Sequence, residues 1–127
     1  MPDKFATAIN CMDGRAQKSV FEYIQKSFGV EHVDMITEPG PNKVLSEATD
    51  IDVIESIKKR VRVSIEKHGS QIIVIAAHHD CAGNPADEET QKDDLRKAVK
   101  VIVSWGFPLK KIIALWLDEK FEPSIIS

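Results

Sequence analysis

Two short segments hold the side chains with the clearest chemistry: Cys11 opens Cys11-Met12-Asp13-Gly14-Arg15, and His78 and Cys81 bracket His78-His79-Asp80-Cys81. Together they use both cysteines of the chain. Two thiolates and one imidazole are a ligand set borne by catalytic zinc sites, where three protein donors leave a fourth position for water. His78 and Cys81 are separated by the step of a tight turn, so both side chains can turn toward one ion. Cys11 joins them only if the fold brings distant segments together. Isolated cysteines are ordinarily small buried hydrophobes, and in a reducing compartment they are ligands, nucleophiles or buried thiols rather than a disulfide. A phosphatase-like nucleophile needs a loop of backbone amides around a phosphate, and the segment from Cys11 to Arg15 is too short for that cradle.

The elements around these segments follow from periodicity. Phe5 to Asn10 is a short, mostly apolar run ending at Cys11 and reads as a buried strand. Val20, Ile24 and Phe28 recur every four residues, which predicts a helix from about Ala16 to Phe28 closed by Gly29. Glu31 to Thr37 reads as a second strand, stopped by Glu38-Pro39-Gly40-Pro41, which is expected to form a rigid loop and a candidate pocket wall. Val53, Ile54, Ile57, Val61 and Ile65 form a helical stripe from Ile51 to Lys67, with Thr49 and Asp50 as capping candidates and His68-Gly69 at the end. Gln71 to Ala77 is an unbroken apolar run of the kind a doubly covered strand requires, and it delivers His78 at its end. A third helix is expected over Glu88 to Ser104, where Asp87-Glu88-Glu89 suit the helix N-terminus, and a fourth strand over Lys111 to Leu117.

Strands alternating with amphipathic helices imply right-handed crossovers, hence an α/β fold of three layers. The expected sheet is mostly parallel, four- to five-stranded, in order 2-1-3-4 with helices on both faces. In such sheets ligands gather beyond the carboxyl ends of the strands where the winding reverses, and both cysteines fall at such ends. A chain of 127 residues suits a single domain spanning 1–127. Lys and Arg total 17 against 20 Asp and Glu, so no positive excess exists to bind nucleic acid. Apolar runs such as Ile72 to Ala77 are too short to cross a bilayer, and the N-terminus has no signal-peptide pattern. The expected location is cytoplasmic. The edges of so small a sheet call for cover from a partner subunit or from the segment after Asp118, which makes a homodimer or higher homo-oligomer the expected assembly.

Cys11 to Arg15 has the form CxDxR and His78 to Cys81 the form HxxC. In this order, at the ends of the first and third strands, the pair resembles the signature of β-class carbonic anhydrases, and the chain reads as a short, divergent member. The resemblance covers most of residues 5–117. It implies Zn2+ as cofactor, with Cys11, His78 and Cys81 as metal ligands, and Asp13 and Arg15 as a catalytic ion-paired dyad. The implied activity is that of a lyase, the reversible hydration of carbon dioxide to bicarbonate, or a variant acting on a related small linear molecule. Asp13 then has two jobs. Held by Arg15, it accepts a hydrogen bond from water at the metal; swung onto the zinc, it blocks chemistry. With Asp13 permanently on the metal, the protein would be a non-catalytic zinc-binding domain with a regulatory or assembly role.

The chain departs from the family pattern in several places. Family members are usually longer, with an N-terminal helical arm, whereas four residues precede Phe5 here. The family's Arg-Asn-Ala-Gly type segment is replaced by Thr37-Glu38-Pro39-Gly40-Pro41-Asn42, and the glutamine and aromatics of its carbon dioxide pocket are not evident. Ala82-Gly83-Asn84 is expected to form a pocket floor, since glycine permits close approach. His79 should point away from His78 on an extended backbone, and His32 and His68 are expected to be solvated. Asp13 and Arg15 have a plainer reading too, as a helix N-cap and a surface charge.

Overall fold

The computed structural model describes residues 4–126. Its strands are β1 (Phe5–Cys11), β2 (His32–Glu38), β3 (Ile72–His78), β4 (Lys111–Leu117) and β5 (Pro123–Ile126). Its helices are α1 (Gly14–Phe28), α2 (Pro41–Glu47), α3 (Ile51–His68) and α4 (Glu88–Ser104). The sheet runs β2-β1-β3-β4-β5, parallel throughout except for the antiparallel β5. This is the expected α/β order with a fifth strand added at the β4 edge, formed by the segment after Asp118.

The strand pleat sends alternate residues to opposite faces. Ile9, Ile73, Ile75 and Trp116 pack with α2, α3 and α4 on one face, around the fully buried Leu45, Ile57 and Leu95. Ala8, Val74, Ala76 and Leu115 pack with Val20 and Ile24 of α1 on the other. Alanines on that second face bring α1 close to the sheet. β1 and β3 are buried along nearly their whole length, which is why their sequences read as continuous apolar runs.

Capping follows the expected chemistry at α3, where the Asp50 side chain accepts from the Val53 N–H and Gly69 closes the helix in the left-handed conformation. The segment after β2 does not. The expected loop is only a two-residue turn, because Gly40 adopts φ 58 and Pro41 starts α2. Proline at the first helical position gives up only an N–H that has no intrahelical partner, so it begins a helix as readily as it breaks one.

His68 is exposed, as expected, and is also anchored. Its Nδ1 lies 2.7 Å from Asp34 Oδ2, and its ring stacks on Phe5 at 4.2 Å. The same Asp34 oxygen accepts from the buried Ser64 hydroxyl, tying α3 to β2. His32 is exposed, as expected, with its ring 4.8 Å from that of Phe5. Among the described residues, no helix is long and apolar enough to cross a membrane.

Candidate metal centre

The β1–β3 ladder pairs Thr7 with Ile73 and ends at Ile9 and Ile75. Beyond that point the two strands part, leaving a crevice at the carboxyl end of the sheet where the chain reverses its winding. Cys11 ends β1 on one side of it and His78 ends β3 on the other. Cys81 returns through a turn in which Asp80 takes the left-handed conformation, φ 58. The three residues are 5%, 1% and 4% exposed, and their ligand atoms all lie within 4.8 Å of one another.

The donor set fits a zinc ion. The two sulfurs are 3.8 Å apart, matching the edge of about 3.8 Å that tetrahedral geometry gives for Zn–S bonds near 2.3 Å. His78 Nδ1 donates to the His79 carbonyl at 2.7 Å, so the lone pair sits on Nε2. Nε2 is buried and, among the described residues, has no hydrogen-bond partner. A buried imidazole nitrogen left this way loses its hydration without replacement, an arrangement explained when the nitrogen is a ligand. His79 itself is exposed, as expected from the strand alternation, and acts at this site through its carbonyl.

The two sulfurs lie within reach of one shared hydrogen bond, which either can donate. With Cys81 as the donor, the bond pushes the Cys11 pKa well below the usual thiol value against the opposing effect of burial. The same bond, with burial and the charge on Cys11, pushes Cys81 up. Backbone N–H groups support both sulfurs: Gly40 and Asp13 aim at Cys11, and Gly83 and Asn84 at Cys81. Burial lowers the His78 pKa, but Cys11, the His79 carbonyl and Asp13 outweigh it and leave the imidazole raised.

Gly40 and Gly83 make this arrangement possible. A Cβ on Gly83 would lie 2.4 Å from the Pro39 carbonyl carbon and 2.6 Å from the Gly40 nitrogen; one on Gly40 would lie 2.7 Å from the Gly83 carbonyl carbon. The loops after β2 and after Cys81 thus pack backbone against backbone, and each presents amides to one sulfur. Asp94 holds the second loop from below, accepting from Asn84 at 3.0 Å and from Ser46 of α2 at 2.9 Å.

Asp13 and Arg15 combine the two readings given to them. Asp13 caps α1, its Oδ1 accepting the Arg15 N–H at 2.9 Å, and the Arg15 guanidinium grips the same carboxylate with Nε to Oδ1 at 3.0 Å and Nη2 to Oδ2 at 2.7 Å. Asp13 Oδ2 is 3.9 Å from His78 Nε2, at the rim of the donor cluster. Hydrogen bonding from Arg15 pulls the Asp13 pKa down to about 2. The pair's contribution to stability is therefore complete above the ordinary aspartate pKa of about 3.9 and is lost as pH falls through about 2.

Sequence reasoning missed several residues at this site. Gln17 donates to the Cys11 carbonyl at 2.5 Å and to Asn10 at 2.8 Å. Gln91 is buried and donates to the His78 carbonyl at 3.1 Å. A signal for both was present, since each is a polar residue in phase with an apolar stripe, Gln17 with Val20 and Ile24, and Gln91 with Leu95, Ala98 and Ile102. Phe121 lies 5.7 Å from the His78 ring, and Trp116 and Gln91 line a cavity of about 580 Å³ beside Cys81. Aromatics and a glutamine therefore surround the cluster, supplied by α4, β4 and the turn after it.

Among solved structures, the β-carbonic anhydrase CafA of the fungal pathogen Aspergillus fumigatus is 11% identical, with a TM-score of 0.57 over 98% of this chain and 76% of that one. At that identity the likeness is one of fold. A GDP-L-fucose synthetase from Naegleria fowleri bound to NADP is 16% identical over 90% of this chain and 31% of that one, at a TM-score of 0.40. No curated protein matches the sequence. Residues 1–127 match as a whole the family described as "Putative carbonic anhydrase", and the chain belongs to that family.

Proposed function

We propose that the protein is a zinc-dependent carbonic anhydrase that interconverts carbon dioxide and bicarbonate. The observation that carries this reading is the buried Nε2 of His78, without a hydrogen-bond partner among the described residues, beside two buried sulfurs, with a carboxylate at 3.9 Å that is already held by an arginine. Cys11, His78 and Cys81 would hold the ion, leaving one position for water. When bound, zinc would supply the Lewis acidity that makes hydroxide available near neutral pH.

The chain's own residues do the rest. Asp13 stays ionised at every pH of interest, so it acts as a hydrogen-bond acceptor that orients the attacking oxygen rather than as a proton donor. Arg15 keeps both carboxylate oxygens engaged, which fixes the direction of the acceptor. Addition of water to carbon dioxide yields bicarbonate and one proton, which passes to buffer. Two thiolate ligands offset the cation's charge more than neutral imidazoles do, which favours activity on the alkaline side. The same reading makes this a cytoplasmic protein acting on a small molecule as a homodimer or larger assembly.

Stopped-flow hydration of carbon dioxide by the zinc-loaded protein tests the proposal. Activity rising from pH 7 to 9 and abolished in Asp13→Asn is the expected result. A background rate across the whole range, with zinc bound, favours the non-catalytic domain in which Asp13 is the fourth ligand.

A further inference from the structure

Arg15 is half exposed, its side chain at 50%, yet it is held on several sides at once. Besides the two-point grip on Asp13, its Nη2 donates to the Asp80 carbonyl at 3.1 Å, and its guanidinium carbon lies 5.1 Å from the centre of the Phe121 ring. Surface ion pairs alone rarely hold a long side chain in one geometry, because the ordering entropy cancels most of the attraction. The extra contacts come from unusual backbone. Asp80 and Phe121 both have φ 58, and among the described residues only Ala48 shares a left-handed conformation without being glycine. Strain of this kind persists only where surrounding structure over-determines it.

The surroundings of Phe121 do so. The turn between β4 and β5 is fastened by its own first residue: Asp118 accepts the Phe121 N–H on its carbonyl at 2.8 Å, and the Lys120 and Glu122 N–H groups on Oδ1 at 2.8 and 3.0 Å. The base of the turn is joined to the metal-side loop, because the His79 N–H donates to the Leu117 carbonyl at 2.9 Å. The turn, the segment from His78 to Cys81 and Arg15 are thereby connected parts of one arrangement.

We infer that the β4–β5 turn clamps Arg15 through the ring of Phe121, making Phe121 a positioning residue that keeps Arg15 on Asp13 and so keeps Asp13 off the metal. This rests on the proposed function for the meaning of Asp13's position, but the clamp itself can be tested without metal. Loss of the ring frees the guanidinium to swing into water and releases Asp13 from its two-point grip.

The experiment reads exchange of the Arg15 Nε–H with water by NMR on the metal-free full chain, in wild type, Phe121→Leu, Phe121→Asn and Phe121→Tyr. Asparagine tolerates the left-handed conformation, so Phe121→Asn removes the ring while preserving the turn. Both ring-deleting variants are expected to speed exchange roughly two- to fivefold, the equivalent of an exposed cation–π contact, with Phe121→Tyr at the wild-type rate. Unchanged exchange in Phe121→Asn overturns the clamp, as does equal acceleration in Phe121→Tyr. Zinc uptake by the wild type, measured alongside, bears on the metal reading alone, so the two failures are distinguishable.

Discussion

Replacing Cys81 by serine is expected to weaken zinc binding by at least about 100-fold, beyond the 10- to 100-fold typical of losing an outer partner of a ligand. A serine hydroxyl stays protonated at neutral pH and makes a poor zinc donor. The change is nearly isosteric at a position only 4% exposed, so the fold should survive and the loss should appear in the metal rather than in the circular dichroism spectrum. Competition against a chromophoric chelator gives the affinity. In the wild type, alkylation of both thiols should be blocked by zinc and restored by the chelator, whereas in Cys81→Ser the remaining Cys11 should react with zinc present. An affinity equal to wild type would show that Cys81 is not a ligand.

Gly83→Ala should carry the largest cost of any single methyl group at the site. The added carbon would meet the backbone of Pro39 and Gly40 at 2.4 and 2.6 Å, and backbone cannot rotate away as a flexible side chain can. The two loops must separate, withdrawing the Gly40 amide from Cys11 and the Gly83 amide from Cys81. We expect a loss of about 2–3 kcal/mol in urea unfolding of the metal-free protein and a fall of about 10- to 100-fold in zinc affinity. Gly14→Ala is the matched control. It lies inside the CxDxR segment, but nothing approaches within 4 Å of its added carbon, so its effect should stay within about 0.5 kcal/mol. Equal midpoints for the two variants would contradict the interlocked-loop description.

What could be read from the sequence was what local pattern determines. The run from Ile72 to Ala77 declares a doubly covered strand, the stripe from Val53 to Ile65 declares α3, and their alternation declares a mostly parallel sheet; the order that brings Cys11 near His78 is an assumption of the sequence reading, which the pairing of β1 with β3 bears out. The reading that failed turned on a residue with two legitimate uses. Pro41 reads as a breaker, yet at the first position of α2 it is a starter. His68 stays exposed at its polar helix end, as read, and what the pattern did not show is that a carboxylate and an aromatic ring from two other strands hold it there. Phe121 had no pattern to announce it, because its role depends on a left-handed turn and on an arginine about a hundred positions earlier. Gln17 and Gln91 were legible in principle as polar interruptions of apolar stripes, a signal worth as much weight as the motifs themselves.

The central claim is that two sulfurs and one imidazole nitrogen from distant parts of the chain hold a single zinc ion. X-ray absorption at the zinc edge, on wild-type protein carrying one equivalent of metal, tests it most directly. The account predicts two sulfur neighbours at about 2.3 Å with two lighter atoms near 2.0–2.1 Å. A first shell with fewer than two sulfurs would contradict it.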